Sequence, residues 1–229
     1  MSKRPLHPLL LLAAALLLPV AAAQAEDPPL VRVHNAVEVL NTIEQSPDKS
    51  IPSDLLKEAR AIAVIPSLLK AGFIFGGRRG EGLISVKRAD GTWSDPSFIT
   101  LTGASVGFQI GVSSTDVVLV FRTQHGVDTI VNGKFTFGVD ATAAAGPVGR
   151  SASADTDQNM KAEIYSYSRS RGLFAGAAIN GGALRIDYDA NAEVYGKDIT
   201  PRRIFEGGVQ NVPPDVVKFR DTLEEYTAK

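Results

Sequence analysis

A chain of 229 residues without a cysteine carries 24 Lys+Arg against 25 Asp+Glu, with 44% apolar residues. It can build neither a disulfide framework nor a thiolate metal site, and so level a charge excludes recruitment of nucleic acid by overall charge. The fold has to rest on its core alone, for which a chain of about 200 residues is long enough.

Taken in chain order, Lys3 and Arg4 precede an apolar run from Leu9 to Ala23 that ends in Ala23-Gln24-Ala25. A cationic start, a short apolar stretch and a small-x-small site predict a secretory signal cleaved after Ala25. The run is short for a membrane span, and Glu26-Asp27 behind it is the wrong flank for a retained anchor. The expected product is residues 26–229, exported to the periplasm or beyond, with peripheral membrane association. Lacking cysteine, it is not a cysteine-acylated lipoprotein. Loss of Lys3 and Arg4 with no acid takes the formal charge from −1 to −3. Any anionic partner must then be drawn by a local patch.

Leu30 to Gln45 spaces Val33, Ala36, Val37, Leu40 and Ile43 as one face of a helix, stopped by Ser46-Pro47. Its polar side offers only Arg32 as a base against Glu38 and Glu44, which predicts docking on the protein's own core instead of on an anionic membrane. A second helix is predicted from Pro52-Ser53-Asp54, capped by Ser53, with Glu58 and Arg60 in water and Ala61 to Ile65 extended. From Gly72 to Tyr188 short β-type runs alternate with glycine: Phe73–Arg79, Gly82–Arg88, Phe98–Val112, Asp116–Thr123, Lys134–Ala145, Glu163–Ala175 and Ala183–Tyr188. Ala89-Asp90-Gly91 reads as a hairpin turn into a Trp93 segment. The unbroken Val117-Val118-Leu119-Val120-Phe121 suits a central strand buried on both sides. In Phe98–Val112 one face is Gly103, Ser105, Gly107, Gln109 and Gly111, so something is expected to pack closely on it, in a curved sheet or small barrel. Gly146 to Asn159 reads as a loop, and Pro213-Pro214-Asp215 opens a last helix to Tyr226, with Val216, Val217, Leu223 and Tyr226 inward. The fold class is α+β: a glycine-rich antiparallel sheet or small barrel-like core, about residues 36–207, with flanking N- and C-terminal helices, the latter over 213–228.

Tyr165 to Gly182 is the stretch richest in chemistry. Extended, it sets Tyr165, Tyr167, Arg169, Arg171 and Leu173 on one face and Ser166, Ser168 and Ser170 on the other. Arginine forks suit phosphate and tyrosines suit an interface. The plainer reading is a half-exposed strand with solvated arginines. Gly76-Gly77-Arg78-Arg79-Gly80-Glu81-Gly82 lacks the Walker lysine-serine ending and the dinucleotide glycine order, but as a tight turn it would present two arginines to an anionic headgroup. Gly103-Ala104-Ser105-Val106-Gly107 matches a nucleophile elbow in letters only, since β-type alternation continues through Ser105 where a helix should begin. Asp155 with Asp157 and Asp187 with Asp189 fit no calcium-loop pattern, and His34 and His125 fit no zinc spacing. No cofactor and no enzymatic activity are expected.

Gly76-Gly77 with Gly80-x-Gly82, Trp93-Ser94-x-Pro96-x-Phe98, the Gly103/Gly107/Gln109/Gly111 strand, Ala144-Ala145-Gly146-Pro147-x-Gly149-Arg150 and Tyr165-x-x-Ser168-Arg169-Ser170-x-Gly172-Leu173-Phe174-Ala175-Gly176 together resemble the SYLF-domain family, over about Ala36 to Gly207. The resemblance implies a compact β-rich fold with flanking helices, no known catalysis, lipid binding with phosphoinositides in animal members, and actin binding in fungal ones. An exported chain would not meet cytosolic actin, so phospholipid or a membrane surface is the expected partner. Arg169 and Arg171 are expected on phosphate and Tyr165 and Tyr167 at the interface, with Arg78, Arg79, Lys87 and Arg88 extending the patch. The alternative is a structural module that binds another envelope protein.

Overall fold

The computed structural model describes residues 27–45, 51–72, 75–106, 111–148, 162–170, 173–179 and 181–228. The signal sequence, Ser46-Pro47, Gly107, Gln109, Asp155, Asp157, Arg171 and Gly172 lie outside the described residues.

Nine strands form one curled, half-barrel sheet. They are β1 (Ala61–Gly72), β2 (Phe75–Val86), β3 (Ser97–Val106), β4 (Gly111–Phe121), β5 (Lys134–Thr136), β6 (Ala143–Ala145), β7 (Ile164–Ser170), β8 (Leu173–Gly176) and β9 (Ala183–Ile186). The order is β5-β9-β3-β2-β1-β4-β7-β6, with β8 also on β7, and only β6–β7 is parallel. Helices α1 (Pro29–Glu44), α2 (Ser53–Glu58), α3 (Gln124–Val131), α4 (Tyr188–Tyr195), α5 (Pro201–Phe205) and α6 (Pro214–Thr227) cover it. The α+β class expected from the sequence is the one observed.

Both faces of the sheet are dry, because strand alternation sends Ile62, Val64, Val118 and Val120 to one core and Ala61, Ala63, Val117, Leu119 and Phe121 to the other. The first core is closed by α1, α2, α4 and α6, and the second by α3 and α5. As the apolar run predicted, Val117–Phe121 of β4 is buried on both sides between β1 and β7. In α1 all five stripe residues are buried, Val33, Val37, Leu40 and Ile43 contributing about 1.5–3 kcal/mol each. Arg32 is a correction: only 5% exposed, it donates to Asp187 Oδ2 at 2.7 Å and reaches Glu81 Oε2 at 3.0 Å, fastening α1 to the sheet.

Several predicted boundaries move. Phe98–Val112 is not one strand: β3 ends at Val106 and β4 begins at Gly111, so Gly103 and Gly111 belong to different strands. Glu163–Ala175 likewise divides into β7 and β8, paired antiparallel, and Lys134–Ala145 into β5 and β6. The Gly76–Gly82 stretch is no turn; it lies within β2. Gly80 and Gly82 serve packing, since a Cβ on Gly80 would press on Ile65 and Leu68 and one on Gly82 would run into the Val64 carbonyl oxygen. There β1 bulges between Ile65 and Leu68, with Ser67 at φ 54°. Pro52 stands at the α2 N-cap and Ser53 makes no capping bond. Three short helices went unpredicted. Gly126 weakens the helical pattern of α3, whereas α4 and α5 carry readable caps, Asp187 accepting from Ala190 N and Thr200 from Arg203 N.

Candidate functional site

The predicted cations do not form one patch. In β7, Tyr165, Tyr167 and Arg169 do share a face, but helices cover most of it. Tyr165 is 5% exposed and Tyr167 fully buried, stacked on Phe174 with ring centroids 5.4 Å apart. Both tyrosines are core residues, which corrects their assignment to an interface. Burial pushes the Tyr167 hydroxyl well above the ordinary tyrosine range, and among the described residues its oxygen has no hydrogen-bond partner.

Arg169 lies opposite Asp116 on β4, with Nε and Nη2 at 2.8 and 2.6 Å from Asp116 Oδ2. The other carboxylate oxygen of Asp116 accepts from Ser67 N at 3.0 Å, at the β1 bulge. Arg169 thus completes a cross-strand clamp, and its guanidinium is already occupied by an anion of the fold. Arg171 lies outside the described residues. Arg78 and Arg79 point to opposite faces of β2. Arg78 is partly buried, which lowers its pKa, and it donates to the Gly181 carbonyl. The exposed Arg79 faces Glu81 at 3.6 Å.

Lys87 and Arg88 stand roughly 25 Å away, beyond the other end of β2. Here β2, β1 and β4 are neighbours, with Ala61 paired to both Val86 and Phe121. One residue further out, the same register aligns Lys87, Arg60 and Arg122. Lys87 N donates to Arg60 O at 2.8 Å, and Arg60 N to Phe121 O at 2.7 Å. Three cations therefore occupy adjacent cross-strand positions, where like charges destabilise a sheet. With Lys57 and Arg88 they line a cleft of about 380 Å³ whose one lining carboxylate is Glu58, 2.8 Å from Arg122 Nη2.

Buried scaffolding holds the row. Lys87 Nζ donates to Lys57 O at 3.1 Å and lies 5.8 Å above the Trp93 ring. Trp93 is itself buried, its Nε1 bonded to Thr227 Oγ1 of α6 at 2.8 Å. The predicted Ala89-Asp90-Gly91 hairpin turn forms, with Gly91 at φ 87°, and presents Arg88. Arg88 Nε donates to Phe205 O at 3.0 Å, and its Nη2 lies over Gly207, where a Cβ would come within 3.1 Å of it.

Ser105 lies within β3 opposite Gly76, in regular strand pairing and not at a sharp turn of the kind a nucleophile elbow needs. Asp187 is spent on Arg32 and the α4 cap. Among the described residues no three His, Asp or Glu gather as metal ligands would.

Residues 102–226 match the family described as "Ysc84: Las17-binding protein actin regulator". The chain belongs to the Ysc84 family. LAS seventeen-binding protein 3 of Saccharomyces cerevisiae is 40% identical over 173 residues, 74% of this chain and 37% of that protein. SH3 domain-containing protein PJ696.02 of Schizosaccharomyces pombe is 42% identical over 162 residues, 69% of this chain and 37% of its own length. SH3 domain-containing YSC84-like protein 1 of Homo sapiens is 32% identical over 189 residues, 82% of this chain and 55% of that protein. The chain thus spans 37–55% of the length of these relatives. The relatives named for a role carry names of binding and regulation, not of catalysis.

Within this Ysc84-family fold, the site residues that sequence reading missed are Lys57, Arg60 and Arg122. Each was visible alone: Arg60 precedes the apolar run of β1, Lys87-Arg88 follows that of β2, and Arg122 follows that of β4. Their convergence depends on the β2-β1-β4 order and register.

Proposed function

We propose that the mature chain is an exported, non-catalytic module that binds acidic phospholipid through the cleft of Lys57, Arg60, Lys87, Arg88 and Arg122. The observation that carries this is the row Lys87–Arg60–Arg122. Like charges in adjacent register cost stability, and the cleft supplies only Glu58 against five cations. A bound phosphate would offset that repulsion, and arginine forks bind it bidentately. Export rests on the Leu9–Ala23 signal, and non-catalysis on the binding and regulatory names of the relatives.

A second reading, a protein-interaction module, is favoured by the Las17-binding and actin-regulator wording attached to the family. An acidic protein surface would use the same row.

Flotation with phosphatidylcholine vesicles, with and without phosphatidylglycerol, decides between them. Each cation near an anionic membrane contributes roughly 1 kcal/mol. Binding should require phosphatidylglycerol and fall at least about tenfold in Arg60→Glu/Lys87→Glu. No binding by the unaltered protein, or equal binding by the variant, overturns the lipid reading; co-sedimentation with actin in the absence of vesicle binding supports the second.

A further inference from the structure

The basic cleft does not end at Arg88. Beyond Arg88 and Ala89, which line both, a groove of about 370 Å³ opens between α3 and α5. Its floor and walls are Val86, Val127, Val131 and Phe205. Three of these, Val86, Val127 and Phe205, are buried, so the groove presents the edges of a packed core. Its charges balance, Arg88 and Arg202 standing against Asp128 and Glu206. Asp128 and Glu206 line it, the latter 3.9 Å from Arg202 of the same helix, and Gln124 donates to Asp128 at 3.0 Å.

Two adjoining compartments thus differ in chemistry. One has five cations and one carboxylate. The other is apolar at its base and carries as many carboxylates as cations, so it holds no surplus of positive charge. Both volumes fall at the lower end of the range for small-molecule sites. A ligand matching both carries its negative charge at one end and hydrocarbon at the other. Arg88 is the junction: it lines both spaces, with Phe205 O accepting from its Nε on the α5 side.

Resting on the lipid reading above, we infer that the site takes a single anionic amphiphile, with its phosphate in the Lys57–Arg122 cleft and one hydrocarbon chain in the α3–α5 groove. Headgroup contact at a flat surface would leave the groove unused. Chain insertion buries methylenes against Val127, Val131 and Phe205, each contributing up to about 0.8 kcal/mol. The site would then hold one lipid molecule by its chain as well as by its charge.

Calorimetric titration of the full mature chain with lysophosphatidylglycerols of increasing chain length, below their micelle-forming concentrations, tests this without any substitution. Glycerol phosphate serves as the chainless reference. Affinity should rise about two- to fourfold per methylene and level off once the groove is filled, exceeding glycerol phosphate at least about tenfold. Val131→Asp, at the half-buried rim, should bring the long-chain ligand down to the level of glycerol phosphate. Thermal melting confirms that this variant folds. Equal affinity across chain lengths, or a folded Val131→Asp that keeps the chain-length dependence, overturns the inference. Vesicle binding with no chain-length dependence would remove the groove alone and leave the acidic-lipid reading standing. Loss of all binding, to vesicles as to soluble amphiphiles, would remove both.

Discussion

Arg169 and Arg60 are both arginines at the margins of one sheet, and their cross-strand neighbours give them opposite roles. Arg169 faces Asp116 and is consumed in holding β7, β4 and the β1 bulge together. Arg60 faces Lys87 on one side and Arg122 on the other, so its charge is not neutralised across the sheet. An arginine in a suggestive motif is thus a weak marker of function until its opposite number is known. Sequence reading centred the expected headgroup contact on the Arg169 strand, with Lys87 and Arg88 as its extension; the cationic cleft lies at the far end of β2, β1 and β4.

The largest effect that sharpens this contrast lies on the structural side. Tyr167→Ala should cost about 3–5 kcal/mol, read as a shift in the urea midpoint, because Tyr167 fills the first core. A loss below about 1 kcal/mol would return Tyr167 to the surface. Next, Arg169→Glu should cost about 2–3 kcal/mol by placing two carboxylates together in a partly buried clamp. Stability should recover in Arg169→Glu/Asp116→Arg, with vesicle binding of the folded protein unchanged throughout. Arg60→Glu should behave oppositely, altering stability by less than about 1 kcal/mol, and in the stabilising direction at low salt, since it relieves a repulsion that salt screens. Its vesicle binding should drop.

The smallest effect concerns pH. Burial raises the pKa values of Tyr167, Tyr195 and Tyr226 in the folded protein, whereas an unfolded tyrosine ionises near 10. Below that pH both states keep the proton and stability is undiminished. Above it the unfolded chain sheds protons that the folded one retains, so stability falls as pH rises, by up to about 1.4 kcal/mol per unit for each such tyrosine. Tyr167→Phe should shallow this alkaline decline and, by removing an unpartnered hydroxyl, change stability at neutral pH by no more than about 1 kcal/mol. An unchanged alkaline slope would show that Tyr167 is accessible to water.

Much of the scaffold was legible because its signals are local. The stripe of α1, the proline that opens α6 and the unbroken apolar run of β4 each state their own environment. Alternation also set Tyr165, Tyr167 and Arg169 on one face, as observed. Alternation cannot say whether that face is covered: α1 and α6, distant in sequence, close the core over the tyrosines while Arg169 lies near its margin. Phe98–Val112 misled for a related reason, since a two-residue period reads the same in one long strand and in two strands that follow each other. The cation row was hidden because Arg60, Lys87 and Arg122 are 27 and 35 residues apart in the chain, and only β2-β1-β4 pairing makes them neighbours.

The most direct test of the account is amide hydrogen exchange of the mature protein with and without phosphatidylglycerol vesicles. Exchange should slow across residues 57–60 and 88–92 and at Arg122, with β7 from Ile164 to Ser170 unchanged. Slowing confined to β7 and β8, with residues 57–60 and 88–92 unaffected, would contradict it.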